Sequence, residues 1–526
     1  MTLPPSADAT ALAAELAAEC RAHATTRQQL AEKTAELHRT QLERDEARAK
    51  LQALLKRYFG RSSEKLDPNQ LALAWAAVEA ELKAAPPPAP AGPPPAARPP
   101  RAPSERRARR LEDLPVLETV TVDVPADQKV APDGTPLIKI REEITDEVDY
   151  QPGKLFRRQI IRPVYASPAH VGAPQIAPLP PRVIPGGQVG PGLIAHVLLS
   201  KYVDHLPLFR QEAMLGRLGP AFTRQAMGDW VGHAAGLLRP VYDELQQLVR
   251  SSGYVQGDET PIRVLDPARP GAAREAWLWT FLAPGAKAVV FDFRLTRSHE
   301  PALAFLREFR GAFQTDGYAA YDKALDVLPP EARDGIVHFN CLAHCRRVFV
   351  EALESGDDRA APFLAQLGAL YRIEAELRDA TPEARAQARG ARSVPWLASM
   401  ELALKKASLD LTILPRSTLS KAVGYALARW PNLTRFAEAA YGHVHIDSNS
   451  VENSIRPTAI GKKNYLFVGH PNAGGRSAVI YSVLGTCKLQ GVNEWNYLTW
   501  ALPRLAAATN QTACRFTPQL FAKESG

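Results

Sequence analysis

Between Tyr254 and Phe339 the hydrophobic pattern switches repeatedly between a two-residue and a helical period, and this alternation constrains the fold more than any other feature. Residues 254–258 predict a strand that ends on an acid, with 262–264 as its continuation or its partner. Residues 276–282 alternate Trp277, Trp279 and Phe281 with Leu278 and Thr280, and 288–293 form a third apolar run. A helix over 300–309, a strand over 312–316 that again ends on an acid, and a strand over 336–339 complete the block. Three antiparallel strands followed by helix, strand, helix and strand make an α/β class.

That element order is similar to the ribonuclease-H-like fold. There the first and fourth strands are neighbours, so by analogy Asp258 and Asp316 would meet at one end of the sheet. Two carboxylates held together repel, and a hard divalent cation such as Mg²⁺ or Mn²⁺ relieves the repulsion. The candidate third ligand is Glu452, within the stretch 445–457. Asp447, Ser448, Asn449 and Ser450 are all residues that cap helices, so a helix should start here and carry Glu452 on its first turns. Arg456 would follow one turn later, and a surface Glu–Arg pair is the plain alternative. A third carboxylate from a following helix would complete a two-metal site.

Basic residues follow the acids. Arg456, Lys462 and Lys463 are interleaved with Tyr465, Phe467 and His470. Residues 472–476 predict a turn carrying Arg476, and the helix after it carries Lys488. This composition suits a DNA backbone. The net charge of +8 over 526 residues agrees with a polyanionic partner without requiring one. Five cysteines make no disulfide framework, no apolar run reaches the roughly 20 residues of a membrane helix, and no signal peptide is apparent. A cytoplasmic protein, associated with the nucleoid when bound to DNA, is expected.

Upstream, residues 11–57 lack Pro and Gly and place Leu16, Leu30, Leu37 and Leu51 on one heptad position. The seam is leaky, since His23 and Arg44 share it, and it predicts a weak dimeric coiled coil, with a single helix packed on its own protein as the alternative. Residues 85–103 are mostly Pro and Ala and should form an extended spacer. It leads into Arg106, Arg107, Arg109 and Arg110, either a solvated linker or an arm on DNA phosphates. Residues 114–165 read as a small β-rich unit, with strands expected near 116–124, 137–140 and 158–165. Two helical segments, 207–215 and 223–235, have helix-turn-helix spacing and would expose Arg224 and Gln225. His338, Cys341, His344 and Cys345 raise structural zinc, but the spacing favours a helix that packs Cys341, Cys345 and Phe349 inward with Arg346 and Arg347 outward. Residues 350–440 predict helices over 359–378, 383–392 and 396–406, a helical insertion in the core.

Taken together these stretches resemble the DDE transposases of the insertion-sequence-66 family. The resemblance rests on Phe59-Gly60-Arg61-Ser62-Ser63-Glu64-Lys65-Leu66, Asp258-Glu259-Thr260-Pro261, Thr315-Asp316-Gly317-Tyr318-Ala319-Ala320-Tyr321 and Asn449-Ser450-Val451-Glu452-Asn453-Ser454-Ile455-Arg456-Pro457. The Cys341–Phe349 segment and Gly461-Lys462-Lys463-Asn464-Tyr465 fit as well. It implies an N-terminal zipper, a zinc-binding segment, a helical DNA-binding region and a ribonuclease-H-like core with the triad Asp258, Asp316 and Glu452. The family's cysteines are replaced here around 131–134 and 167–170, so the β-rich unit should be a degenerate zinc ribbon without its metal.

The expected organisation is a coiled-coil region (1–84), a linker (85–113), the β-rich unit (114–173) and a helical DNA-binding region (174–252). The catalytic core (253–349 and 441–505), split by the helical insertion (350–440), and a tail (506–526) follow. The expected activity is Mg²⁺-dependent cleavage and strand transfer at terminal inverted repeats, by a homodimer or higher oligomer that co-encoded accessory proteins could assist. A decayed, non-catalytic DNA-binding repressor and a nuclease that never joins ends are the rival readings.

Overall fold

The computed structural model describes residues 181–525 apart from 219–221 and 269–270, together with 29, 32–33, 36–37, 39–47, 50, 153, 155–156, 160, 164–165 and 175–176. Contacts divide the chain into two units, one of Met1–Ala74 with Ile161–Gly526 and one of Trp75–Ile160. The linker, its arginine cluster and most of the β-rich unit lie outside the described residues, as does most of the zipper. Within the zipper, the described positions from 29 to 50 are helical, and Asp45 forms an ion pair with Arg372. Val164–Tyr165 and Gln175–Ile176 form a short antiparallel ladder.

The first continuous elements are helices: α1 (Pro191–Tyr202), α2 (Leu208–Gly216), α3 (Arg224–Leu237) and α4 (Arg239–Arg250). Thr223 caps α3 by accepting a hydrogen bond from the Ala226 amide (3.2 Å). A five-stranded mixed sheet follows, built from β1 (Tyr254–Leu265), β2 (Ala273–Ala283), β3 (Ala288–Arg294), β4 (Gly311–Thr315) and β5 (Ile336–Asn340). Its spatial order is β3-β2-β1-β4-β5. The first three strands form an antiparallel meander, while β4 runs parallel to β1 and β5 parallel to β4. Parallel neighbours need crossovers, which α5 (Glu300–Leu306), α6 (Ala319–Asp326) and α7 (Pro330–Arg333) supply. The expected helix over 300–309 is therefore shorter.

β1 is one strand despite Pro261. The chain pairs with β2 from Gln256 to Leu265 without a break, whereas pairing with β4 stops at Gln256. On β1, the Arg263 carbonyl and the Leu265 amide bond Val468, on the side away from β2. Pro261 shares that orientation by the two-residue period, so its missing N–H falls where β4 does not reach. Asp258 consequently sits mid-strand rather than at a strand end.

After β5 come α8 (Leu342–Glu354), α9 (Ala361–Glu376), α10 (Pro382–Ser408) and α11 (Thr418–Thr434). The segments read as separate helices, 383–392 and 396–406, are one helix that runs through Pro395. Arg389 explains why its N-terminal half is held: fully buried, it bonds Glu374 (2.7 and 2.8 Å) and the carbonyls of Phe436 and Tyr441. These helices, with Phe349 on α8, share an apolar core with Phe339 and Tyr254 at the sheet.

The chain ends with α12 (Asn449–Tyr465), α13 (Pro471–Gln490), α14 (Glu494–Ala507), α15 (Asn510–Ala513) and α16 (Pro518–Ser525). The chain after α14 folds back on it, with Tyr497 and Trp500 against Phe521 of α16 and Trp500 against Phe516, which precedes α16. The turn expected over 472–476 is instead the start of α13. A Cβ on Gly474 would lie 2.5 Å from the Phe293 ring, so glycine here permits close helix–sheet packing rather than a turn. The hydroxyls of Ser482 and Thr486 accept from the Phe291 and Val289 amides (2.8 and 3.2 Å). They satisfy the outer backbone groups of edge strand β3 and close that edge.

Candidate active site

The three expected acids come from three elements. Asp258 comes from the middle of β1, Asp316 follows the last residue of β4, and Glu452 lies in the first turn of α12. Burial pushes the Asp258 carboxyl well above its ordinary range, and the negative charges of Glu259, Asp316 and Glu452 add to the shift. Asp316 and Glu452 are thus within electrostatic reach of Asp258. One oxygen of Asp258 accepts from the Glu259 amide (2.7 Å), and Asp316 Oδ1 accepts from the Tyr318 amide (2.8 Å).

Each acid is placed by a different device. Asp316 is followed by Gly317 at φ +86°, a left-handed turn that glycine allows. From α11, the Tyr425 hydroxyl donates to the Asp316 carbonyl (2.7 Å) and Arg429 donates to the Gly317 carbonyl (2.8 Å). α11 thus holds the backbone of the second acid.

Glu452 is placed by buried amides that sequence reasoning passed over. Gln256 donates to the Asp447 carbonyl (2.9 Å) and accepts from the Val451 amide (3.2 Å), while Gln314 donates to the His445 carbonyl (2.9 Å). Tyr254 donates to Gln314 (2.6 Å) and accepts from the His445 amide (3.1 Å). Two glutamines inside otherwise apolar strands were the available signal, because buried polar groups require partners. Asp447, not Ser448, caps α12, accepting from the Asn449 amide (3.1 Å).

Glu452 does not pair with Arg456, which is exposed. Its Oε1 lies 3.5 Å from His344 Nε2 and its Oε2 lies 3.6 Å from Arg347, both on α8. Glu452 Oε1 is buried with no hydrogen-bond partner, as is His344 Nδ1. Burial lowers the proton affinity of His344.

Cys341, Cys345 and Phe349 are fully buried, with Arg346 and Arg347 exposed. Cys341 Sγ accepts from the Ser448 amide (3.3 Å), and His338 pairs with Thr315 (2.9 Å). Among the described residues, no group of three or more His, Cys, Asp or Glu side chains is gathered as a metal-ion site, and this holds for Asp258, Asp316 and Glu452 as well as for the cysteine segment.

The basic candidates are dispersed. Arg224, Gln225, Arg456, Lys463, Arg476 and Lys488 are exposed. Lys462 turns inward and donates to the Pro261 carbonyl (2.9 Å), a structural contact to β1. Arg476 lies against Gly232 of α3, the helix that opens with Arg224. Lys488 is 12 residues further along α13, about 18 Å at helical rise, so the two do not form one patch. Arg106, Arg107, Arg109 and Arg110 lie outside the described residues.

Comparison with known proteins decides the family. The family described as "Transposase IS66 family" matches residues 186–476, more than half of the chain. The chain belongs to the IS66 transposase family. A second profile, "Transposase C of IS166 homeodomain", matches residues 46–119. Two relatives from Sinorhizobium fredii are similar along most of their length. The uncharacterized protein y4jD is 33% identical over 381 residues, 71% of this chain and 74% of that one. The uncharacterized protein y4qI is 32% identical over 419 residues, 77% of this chain and 75% of that one. Family membership implies a transposase activity and DNA binding in general terms. No helix among the described residues is long and apolar enough to cross a membrane.

Proposed function

We propose that the chain is the DDE transposase of an insertion sequence, cutting DNA strands at terminal inverted repeats and joining them to a target. Its core is read as ribonuclease-H-like, for which the β3-β2-β1-β4-β5 order with a parallel β1–β4 pair is the support. The observation that supports the chemistry is the parallel pairing of β1, which carries Asp258, with β4, which leads into Asp316; burial first, then the charges of Glu259, Asp316 and Glu452, raise the proton affinity of Asp258.

Asp258, Asp316 and Glu452 would hold Mg²⁺ or Mn²⁺, two ions. Hard carboxylate oxygens suit these cations, and the buried, unpartnered Oε1 of Glu452 is an acceptor that lacks a donor. When bound, such ions supply Lewis-acid polarisation of the phosphodiester and of the attacking oxygen. The chain's own contribution is placement. Tyr425 and Arg429 hold the Asp316 turn, and the Gln256–Gln314–Tyr254 network holds the approach to Glu452. His344 and Arg347 set the carboxylate of Glu452 from the far side. Arg456, Lys463, Arg476 and Lys488 provide exposed cations for DNA phosphates, and Arg224 with Gln225 opens a helix suited to the duplex.

The test is cleavage and strand transfer on inverted-repeat DNA by the full chain. Asp258→Asn, Asp316→Asn and Glu452→Gln should each abolish both reactions while leaving DNA binding. Near-native activity in any one of them removes that residue from the triad. Cleavage without joining under all conditions would favour a nuclease.

A further inference from the structure

Glu259 follows Asp258 directly, and its side chain is 1% exposed. It adds a negative charge beside three others, and a buried carboxylate is costly unless paired, so its partners matter. One oxygen accepts from the Tyr321 hydroxyl (2.7 Å), and the other accepts from Arg297 Nε (3.1 Å) and Nη2 (2.6 Å). The Arg297 guanidinium lies 4.5 Å from the Trp277 ring centre and 3.9 Å from that of Tyr318. Tyr318 is tied in turn to Asp316 Oδ1 through its amide and to the Arg297 carbonyl through its hydroxyl (3.2 Å).

One edge of the guanidinium is therefore fixed by Glu259, and aromatic rings support its plane. Arg297 Nη1 donates to no group among the described residues, and the side chain is 40% exposed. An arginine held by one edge and open at the other is preorganised for an anion, since the rotamer freedom normally lost on binding is already gone. Its tie through Tyr318 places it beside Asp316, one of the acids of the proposed site.

We propose that Arg297 grips a DNA phosphate next to the cleaved bond and that Glu259 is the positioning residue that aims it. The proposal rests on the strand-cleavage reading above. Its alternative is a purely structural Glu259–Arg297 pair.

The experiment uses the full chain carrying Asp258→Asn, so that binding is read without cleavage, and a duplex with the inverted repeat found beside the gene. Adding Arg297→Gln should weaken binding about tenfold at low salt and lower the slope of log affinity against log salt by about one. Single neutral methylphosphonates are then placed around the cleaved bond. At one position the substitution should weaken the parent about tenfold and leave the Arg297→Gln protein unaffected, the non-additivity of a direct contact. Glu259→Gln should keep the salt slope and reduce the coupling at that same phosphate. If thermal melting shows Arg297→Gln to be unfolded, Arg297→Lys takes its place in the cycle, with reduced coupling expected.

Additive losses at every phosphate overturn the contact, because a structural pair would weaken binding without selecting a position. A parent that binds no inverted-repeat duplex overturns the transposase reading and the contact with it.

Discussion

Asp258 concentrates the electrostatic tension of the site. Burial and three neighbouring carboxylates favour its protonated form in the fold, whereas the unfolded chain ionises it near the ordinary 3.8. Its contribution to stability is then fully present below that value and is lost as pH rises through the raised folded-state value. In chelator, the melting temperature should therefore fall over this interval, and Asp258→Asn should flatten the fall and raise the melting temperature at neutral pH. Thermal melts across pH check this. An unchanged pH slope in Asp258→Asn would show that its charge is not the source. Adding Mg²⁺ should raise the melting temperature of the unsubstituted protein and have little effect on Asp258→Asn.

At the scale of elements, the acids depend on backbone anchors that carry no charge. Gln256 satisfies the Asp447 carbonyl and the Val451 amide at the start of α12. Gln256→Leu leaves both unpaired in a buried setting, and a loss of about 2–3 kcal/mol by denaturant unfolding is expected. Cleavage should fall further than stability alone would predict, since Glu452 loses its placement.

Tyr425→Phe removes one hydrogen bond to the Asp316 carbonyl, worth about 1 kcal/mol, and should slow cleavage while leaving duplex affinity near that of the parent. Weakened DNA binding with unchanged cleavage of bound DNA would reject this role for α11. The helical insertion is thus tied to the second acid, a link that helix periodicity alone does not reveal.

For the whole molecule, the leucine heptads within residues 11–57 predict dimerisation. A chain lacking residues 1–57 should show a smaller oligomeric mass in light scattering, and an unchanged mass would place the interface elsewhere. The described part of that segment also meets the body of the protein through Asp45 and Arg372, so removing it should cost some stability as well.

Much of the order of elements was legible in the chain itself. The period-two runs of the sheet, the caps at Thr223 and near Asp447, and the family motifs around Asp258, Asp316 and Glu452 are local patterns, and local patterns are written in neighbouring residues. Several outcomes required the folded chain. Pro261 stays within a strand because β4 stops short of it, and Gly474 serves close packing of a helix on Phe293 rather than a turn. Glu452 turns to His344 and Arg347 instead of Arg456, and Lys462 turns to the Pro261 carbonyl instead of solvent. Each of these is settled by a partner distant in sequence, where packing and buried hydrogen bonds outweigh the few tenths of a kcal/mol that a neighbouring residue contributes.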